Sequence, residues 1–279
     1  MSRADERGRT HWNSVARSWD LYSSPLRPCG EDLATFLRFA KAYSQIPPHA
    51  SGTVLVLGVT PEIATMPWPE ETDITAVDRS QEMIDAVWPG DITGVRRAYC
   101  EDWFLLRRPE RPYDIVIGDG IINTLGYPGE MRGLLARLRA LARPGALVIL
   151  RSFARPDIPE TVAALIEAAQ AGGAGNFHSF KFCLAMALQS SPEEGVPLDS
   201  VWRSWCRIET AVEGLASQCG WRPDVVRTID LFRGKQVQLS FPTVDELIAM
   251  LEAEGIPLLD LYMPGYEMGD RCPIVAGRL

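Results

Sequence analysis

Thr53-Val54-Leu55-Val56-Leu57-Gly58-Val59-Thr60-Pro61-Glu62 decides how this chain is read, together with Ile74-Thr75-Ala76-Val77-Asp78-Arg79-Ser80 downstream. An apolar, mostly β-branched run ends at a glycine. A second run ends at a carboxylate twenty residues after Gly58. Short apolar runs closed by turn residues are core strands. A glycine at a strand tip lets a ligand approach the backbone. An acid at the tip of the next strand can accept hydrogen bonds from ribose hydroxyls. The spacing predicts a nucleoside pocket at the carboxyl edge of a parallel sheet.

Outward from this pair, strands are expected near 53–57, 73–78, 94–99, 113–118 and 145–151, and helices near 61–66, 81–88, 129–142 and 157–171. Strands alternating with helices imply right-handed crossovers and a mostly parallel sheet. Ser80 can cap the helix carrying Met83 and Ile84. Pro144-Gly145 is expected to end one helix and launch the strand Ala146–Leu150. Thr243-Val244-Asp245-Glu246 fits a capping box, Gly255 a helix stop, and Ile256–Tyr262 and Cys272–Gly277 the last strands. Upstream, residues 11–45 read as helical, broken by Ser24-Pro25-Leu26-Arg27-Pro28, and Ile46-Pro47-Pro48-His49 reads as a linker. Residues 172–222 form a mostly helical insertion, Phe177–Leu188 then Val201–Cys219. The expected organisation is a helical lid (1–49), a cofactor-binding core (50–171), the insertion over the cleft (172–222) and a part that completes the sheet (223–279), all in one domain.

The 279 residues are 46% hydrophobic and 23% charged, a composition of globular proteins. The net charge of −8 makes a long polyanion an unfavourable partner, so no nucleic acid is expected. Six cysteines at 29, 100, 183, 206, 219 and 272 show no metal-like spacing, and no metal is expected. The charged start Ser2-Arg3-Ala4-Asp5-Glu6-Arg7 is unlike a signal peptide, and no apolar run approaches a membrane span. The expectation is a cytoplasmic monomer or homodimer acting on a small molecule.

The order of these motifs resembles the class I S-adenosylmethionine-dependent methyltransferases, over roughly residues 50–155 and more loosely over the final strand pair. The resemblance implies a Rossmann-like, doubly wound α/β fold: a mostly parallel seven-stranded sheet whose last strand is antiparallel. It implies S-adenosylmethionine as the cofactor. Asp78 matches the acid that holds the ribose, with Arg79 beside it. Ser80 and Met83 match the continuation in which the methionine packs near the adenine. Asp102, in Glu101-Asp102-Trp103, matches the acid that reads the adenine amino group, and Trp103 could cover the purine. Tyr113–Gly120 matches the fourth strand and its tip. The family's glycine-rich loop is altered: its positions are held by Val56, Gly58, Thr60 and Glu62, with one glycine kept and the usual acid absent. Glu62 stands where it could receive the cofactor's ammonium group instead.

For the chemistry, Asp119 at the fourth strand's tip, Asn123 in the following loop, Tyr22 and His178 are the candidates. Asp119 has an alternative role as a turn acid, and Asn123 as a local cap. His11 and His178 lie in regions that commonly roof the cleft in this family and could serve as bases. Trp12, Trp19 and Tyr22 suggest a lid whose ring faces favour the sulfonium, with Arg27 available for a carboxylate. The alternative is an amphipathic helix packed on the sheet flank. Phe177, Phe180 and Lys181 invite the same two readings. Three functions remain open at this point: methyl transfer to a small metabolite or biosynthetic intermediate, cyclisation of the cofactor to azetidine-2-carboxylate with release of methylthioadenosine, and non-catalytic cofactor binding.

Overall fold

A computed structural model describes residues 11–46, 51–173 and 175–279. The expected linker around His49 and the charged start of the chain lie outside the described residues. After a helix over residues 11–16 (α1) come α2 Gly30–Tyr43, β1 Thr53–Leu57, α3 Pro61–Ala64, β2 Asp73–Asp78, α4 Gln81–Val87, β3 Arg96–Cys100, β4 Tyr113–Asp119, α5 Gly129–Leu141 and β5 Ala142–Arg151. Then follow α6 Val162–Gln170, α7 Phe177–Leu188, β6 Val196–Pro197, α8 Leu198–Ala211, α9 Leu215–Gln218, α10 Pro223–Val226, β7 Gln238–Leu239, α11 Val244–Ala253, β8 Leu258–Tyr262 and β9 Ile274–Arg278.

The sheet has seven strands in the order β3-β2-β1-β4-β5-β9-β8. All neighbouring pairs from β3 to β5 are parallel, and β9 runs antiparallel to both β5 and β8. This is the doubly wound α/β sheet with one antiparallel strand expected from the sequence. Alternation along the central strands sends Leu55, Leu57, Val116 and Val148 to one core and Val54, Val56, Ile117 and Ile149 to the other. A third cluster, built on Phe177, Phe180, Trp205 and Trp221, gives residues of the insertion a core of their own. The strand order reverses between β1 and β4, which places the crevice for a ligand at the carboxyl tips of those two strands.

Several boundaries follow their caps. Ser80 Oγ accepts from Met83 N, and Thr243 and Glu246 form the reciprocal capping box. Three expectations need correction. The strand expected at 145–151 starts at Ala142; a register shift opposite Tyr113 and a φ of +78° at Gly145 let it run through Pro144-Gly145. The helix expected from 157 begins at Val162, where Thr161 Oγ1 accepts from Ala164 N. The helix expected over Val201–Cys219 is two helices, parted at Gly214 with φ +71°.

One buried residue pins the N-terminal segment to the sheet. Arg151, at the end of β5, is fully buried. Its Nε and Nη2 donate to the two oxygens of Asp119 at 2.5 and 3.1 Å. Nη1 donates to Asp32 Oδ2 and Tyr266 Oη, each at 3.0 Å, and Nη2 also donates to the Pro25 carbonyl at 2.9 Å. All five guanidinium N–H donors are thereby used. Arg151→Met should strand two buried carboxylates and destabilise the fold by about 3–5 kcal/mol; urea unfolding monitored by tryptophan fluorescence checks this, and a loss below about 1 kcal/mol would contradict the pinning role.

Candidate active site

A cavity opens at the tips of β1, β2 and β4, walled mostly by apolar and aromatic side chains with a few polar groups among them, the make-up of a small-molecule site. Its floor comes from the strand ends: Leu57, Gly58, Asp78 and Asp119. Gly58 has φ +86°, a conformation that strains other residues, and its N–H donates to the Val77 carbonyl at 2.8 Å. A Cβ there would make only ordinary contact with the Asp78 carboxylate, whose Oδ2 lies 3.8 Å from its position, so it is the backbone conformation that favours glycine. Asp78 Oδ1 accepts the Ser80 N–H at 2.8 Å. Burial pushes the Asp78 carboxyl above the ordinary range, against the pull of that N–H and of Arg79. The glycine and the acid singled out in the sequence therefore face each other across one cavity.

The walls are aromatic. Trp12, Trp19 and Tyr22 reach the cavity from the N-terminal segment, Trp103 from the loop after β3, Met83 from α4, and Phe153, Phe182 and Phe232 from the far side. Trp103 is fixed by Nε1 donating to the Val77 carbonyl at 2.7 Å. The buried Trp19 Nε1 and Tyr22 Oη have no protein partner, so both remain available to a ligand. Thr60, Arg79 and Asn123 also line the cavity.

Other expected site residues are placed differently. Glu62 and Arg27, assigned to separate ligand groups, meet each other: Arg27 Nε donates to Glu62 Oε1 at 2.7 Å and Nη2 lies 2.5 Å from the same oxygen. Neither side chain is among the cavity residues. The pair ties the lid to α3. Asp102 accepts the Phe104 N–H at 2.9 Å and caps its own turn; it is not among the cavity residues. Asp119 faces the cavity, but Arg151 holds both of its oxygens. Asn123 is committed as well: Nδ2 donates to the carbonyls of Phe153 and Ser240, and Oδ1 accepts from Ser152 Oγ and Phe153 N. That exceeds the local cap expected from sequence and ties three segments together.

His178 stands behind the cavity. Its ring stacks on Tyr22 with centroids 5.2 Å apart, and Nε2 lies 2.8 Å from the Leu21 carbonyl. Burial, reinforced by Lys181, pushes its pKa down to about 4. His11 lines the cavity, and burial, with Lys235 and Lys181, likewise takes it to about 4. Both rings are neutral at pH 7. Lys181, a cation of the wall in addition to Arg79, is fully buried on α7. Its sequence signal was a lone lysine inside the apolar run Phe177–Leu188, where a cation needs a reason to be buried. Arg151 carried the same signal at the end of the apolar strand Ala146–Leu150.

No protein-family model matches the sequence, and no curated protein matches it. Solved structures do. The CcbJ methyltransferase from Streptomyces caelestis superposes with a TM-score of 0.56 at 15% identity, covering 96% of this chain and 97% of that one. DhpI in complex with SAH gives 0.55 at 14%, covering 100% and 98%. Magnesium protoporphyrin IX methyltransferase (ChlM) from Synechocystis PCC 6803, with bound SAH, gives 0.54 at 12%, covering 99% of both chains. At these identities the likeness is one of fold: the chain has the Rossmann-like fold of these methyltransferases over its whole length.

Two outcomes are expected. Arg27→Met removes a partly exposed ion pair worth about 1 kcal/mol, so the lid should open about five-fold more often. Limited proteolysis of residues 23–28 checks this, and an unchanged cleavage rate would contradict the latch. For the histidines, a folded pKa of about 4 lies below the unfolded 6.5. The unfolded chain therefore takes up protons first, and stability present above pH 6.5 is lost as pH falls towards 4. The melting temperature should drop across that window, and less steeply in His178→Gln.

Proposed function

We propose that the cavity binds S-adenosylmethionine and that the protein transfers its methyl group to a small molecule. The carrying observation is the pairing of Gly58 and Asp78 at the reversal of strand order, inside a cavity walled by four tryptophan and tyrosine rings, Trp12, Trp19, Tyr22 and Trp103. The residues fit the group. Asp78 can accept both ribose hydroxyls, Met83 and Trp103 can flank the purine, and ring faces suit a sulfonium. When bound, the cofactor supplies a methyl group already activated on sulfur. The chain's work is then alignment and exclusion of water. The lid does this: α1 is held to α4 by Asn13, which donates to Glu82 Oε1 at 2.6 Å and accepts from Ser80 Oγ at 2.9 Å. Similarity to methyltransferases named for small-molecule substrates supports the same reading. The sheet's net negative chain argues against a nucleic-acid acceptor. Among the described residues no helix is long and apolar enough to cross a membrane.

One observation favours a second reading, in which adenosylmethionine is the sole substrate and is converted to azetidine-2-carboxylate and methylthioadenosine. Glu62 and Asp119, the acids nearest the expected ammonium end, are both held by arginines. An amine with no acid to keep it protonated is a better internal nucleophile.

The test is incubation with adenosylmethionine alone, then with candidate acceptors. Adenosylhomocysteine formed only with an acceptor supports methyl transfer; methylthioadenosine formed without one supports the second reading. Binding without any turnover would remove both. Asp78→Ala should weaken adenosylmethionine binding by roughly 1–3 kcal/mol, the cost of unpaired hydroxyls; unchanged affinity in calorimetry would take Asp78 out of the site.

A further inference from the structure

The protein buries two cations near its cavity, and they are treated in opposite ways. Arg151 has every donor filled and two carboxylates against it. Lys181 has one donor filled: Nζ donates to Thr228 Oγ1 at 3.2 Å. The rest of its shell is ring faces, with Nζ 5.2 Å from the Tyr22 centroid, 5.1 Å from Phe232 and 5.9 Å from Phe177. Among the described residues no carboxylate pairs with it. Lys181 and Lys235 both act on the nearby His11 ring.

An ammonium has three donors and no acceptor, so two of them have no protein partner. Taking such an ion out of water is unfavourable. Ring faces offset only part of that cost. Burial accordingly pushes the Lys181 pKa down to about 7, which leaves the site poised to gain a proton when an anion arrives. A lysine needed only for packing could be replaced by methionine at no such cost. This one instead lines the cavity.

We propose that Lys181 is the receptor for a carboxylate of the reactant. The carboxylate belongs either to the amino-acid end of the adenosylmethionine or to a second small molecule held against Tyr22 and Phe232. The first source rests on the cofactor reading above; the second does not.

Calorimetry on the wild type and Lys181→Met, with the fold of each checked by near-ultraviolet circular dichroism, separates the cases. The ligands are adenosylmethionine, its decarboxylated analogue, methylthioadenosine and benzoate. If the carboxylate is the cofactor's, the variant should bind adenosylmethionine about ten-fold or more weakly, with methylthioadenosine and the decarboxylated analogue unchanged. If it is a second molecule's, all three nucleosides bind both proteins alike and benzoate binds the wild type but not the variant. Equal binding of every ligand by both proteins, or benzoate bound by neither with the nucleosides unaffected, overturns the proposal. Failure of the wild type to bind any nucleoside would instead overturn the cofactor reading, and benzoate then decides the carboxylate site by itself. Should Lys181→Met not fold, Lys181→Gln carries the same comparison.

Discussion

The buried guanidinium of Arg151 is the interaction on which the site's architecture depends. It joins three stretches of chain that are far apart in sequence: the tip of β4 through Asp119, the N-terminal stretch through the Pro25 carbonyl and Asp32 of α2, and the segment before β9 through Tyr266. Burial works against its charge, but Asp119 and Asp32 outweigh that effect and hold it protonated. A buried ion is tolerated when its donors are all matched, and here the match also fixes geometry. Through the Pro25 carbonyl it ties the Ser24–Pro28 turn directly to the end of β5.

The lid is thus a structural part of the cavity. Arg27 latches it to α3, Asn13 to α4, and on the insertion side Asn176 Nδ2 donates to the Ser24 carbonyl at 3.0 Å while His178 meets Leu21. The lid, the strand tips and the insertion therefore share one set of polar ties. The same ties commit both oxygens of Asp119 and both ends of the Asn123 amide, and one oxygen of Glu62, whose Oε2 has no hydrogen-bond partner among the described residues. The rest of the lining is aromatic and apolar side chains with Thr60, Asp78, Arg79 and Lys181 among them. Such a wall suits a reaction whose leaving group is already activated and whose main need is positioning in a dry cavity.

Charge is distributed to match. The sheet side of the cavity carries the carboxylate of Asp78, and the insertion side carries Lys181 with two neutral histidines nearby. A nucleoside with a zwitterionic chain, or a nucleoside beside an anionic partner, complements that division.

What the sequence determined by itself was set by local pattern. The apolar runs ending at Gly58 and Asp78 define β1 and β2, because a parallel strand is buried along its length and its tip must turn. Ser80, Thr243 and Gly255 mark helix ends, because capping is decided within three or four residues. The mostly parallel sheet followed from strands alternating with helices. What only the tertiary structure decided was pairing over distance. Arg27 to Glu62, Arg151 to Asp119 and Asp32, and Asn123 to Ser240 join residues between 32 and 119 positions apart, and nothing in local spacing says which charges will neutralise each other. The sequence could name the acids near the cavity. Whether each was free for a ligand depended on which arginine the folded chain brought to it.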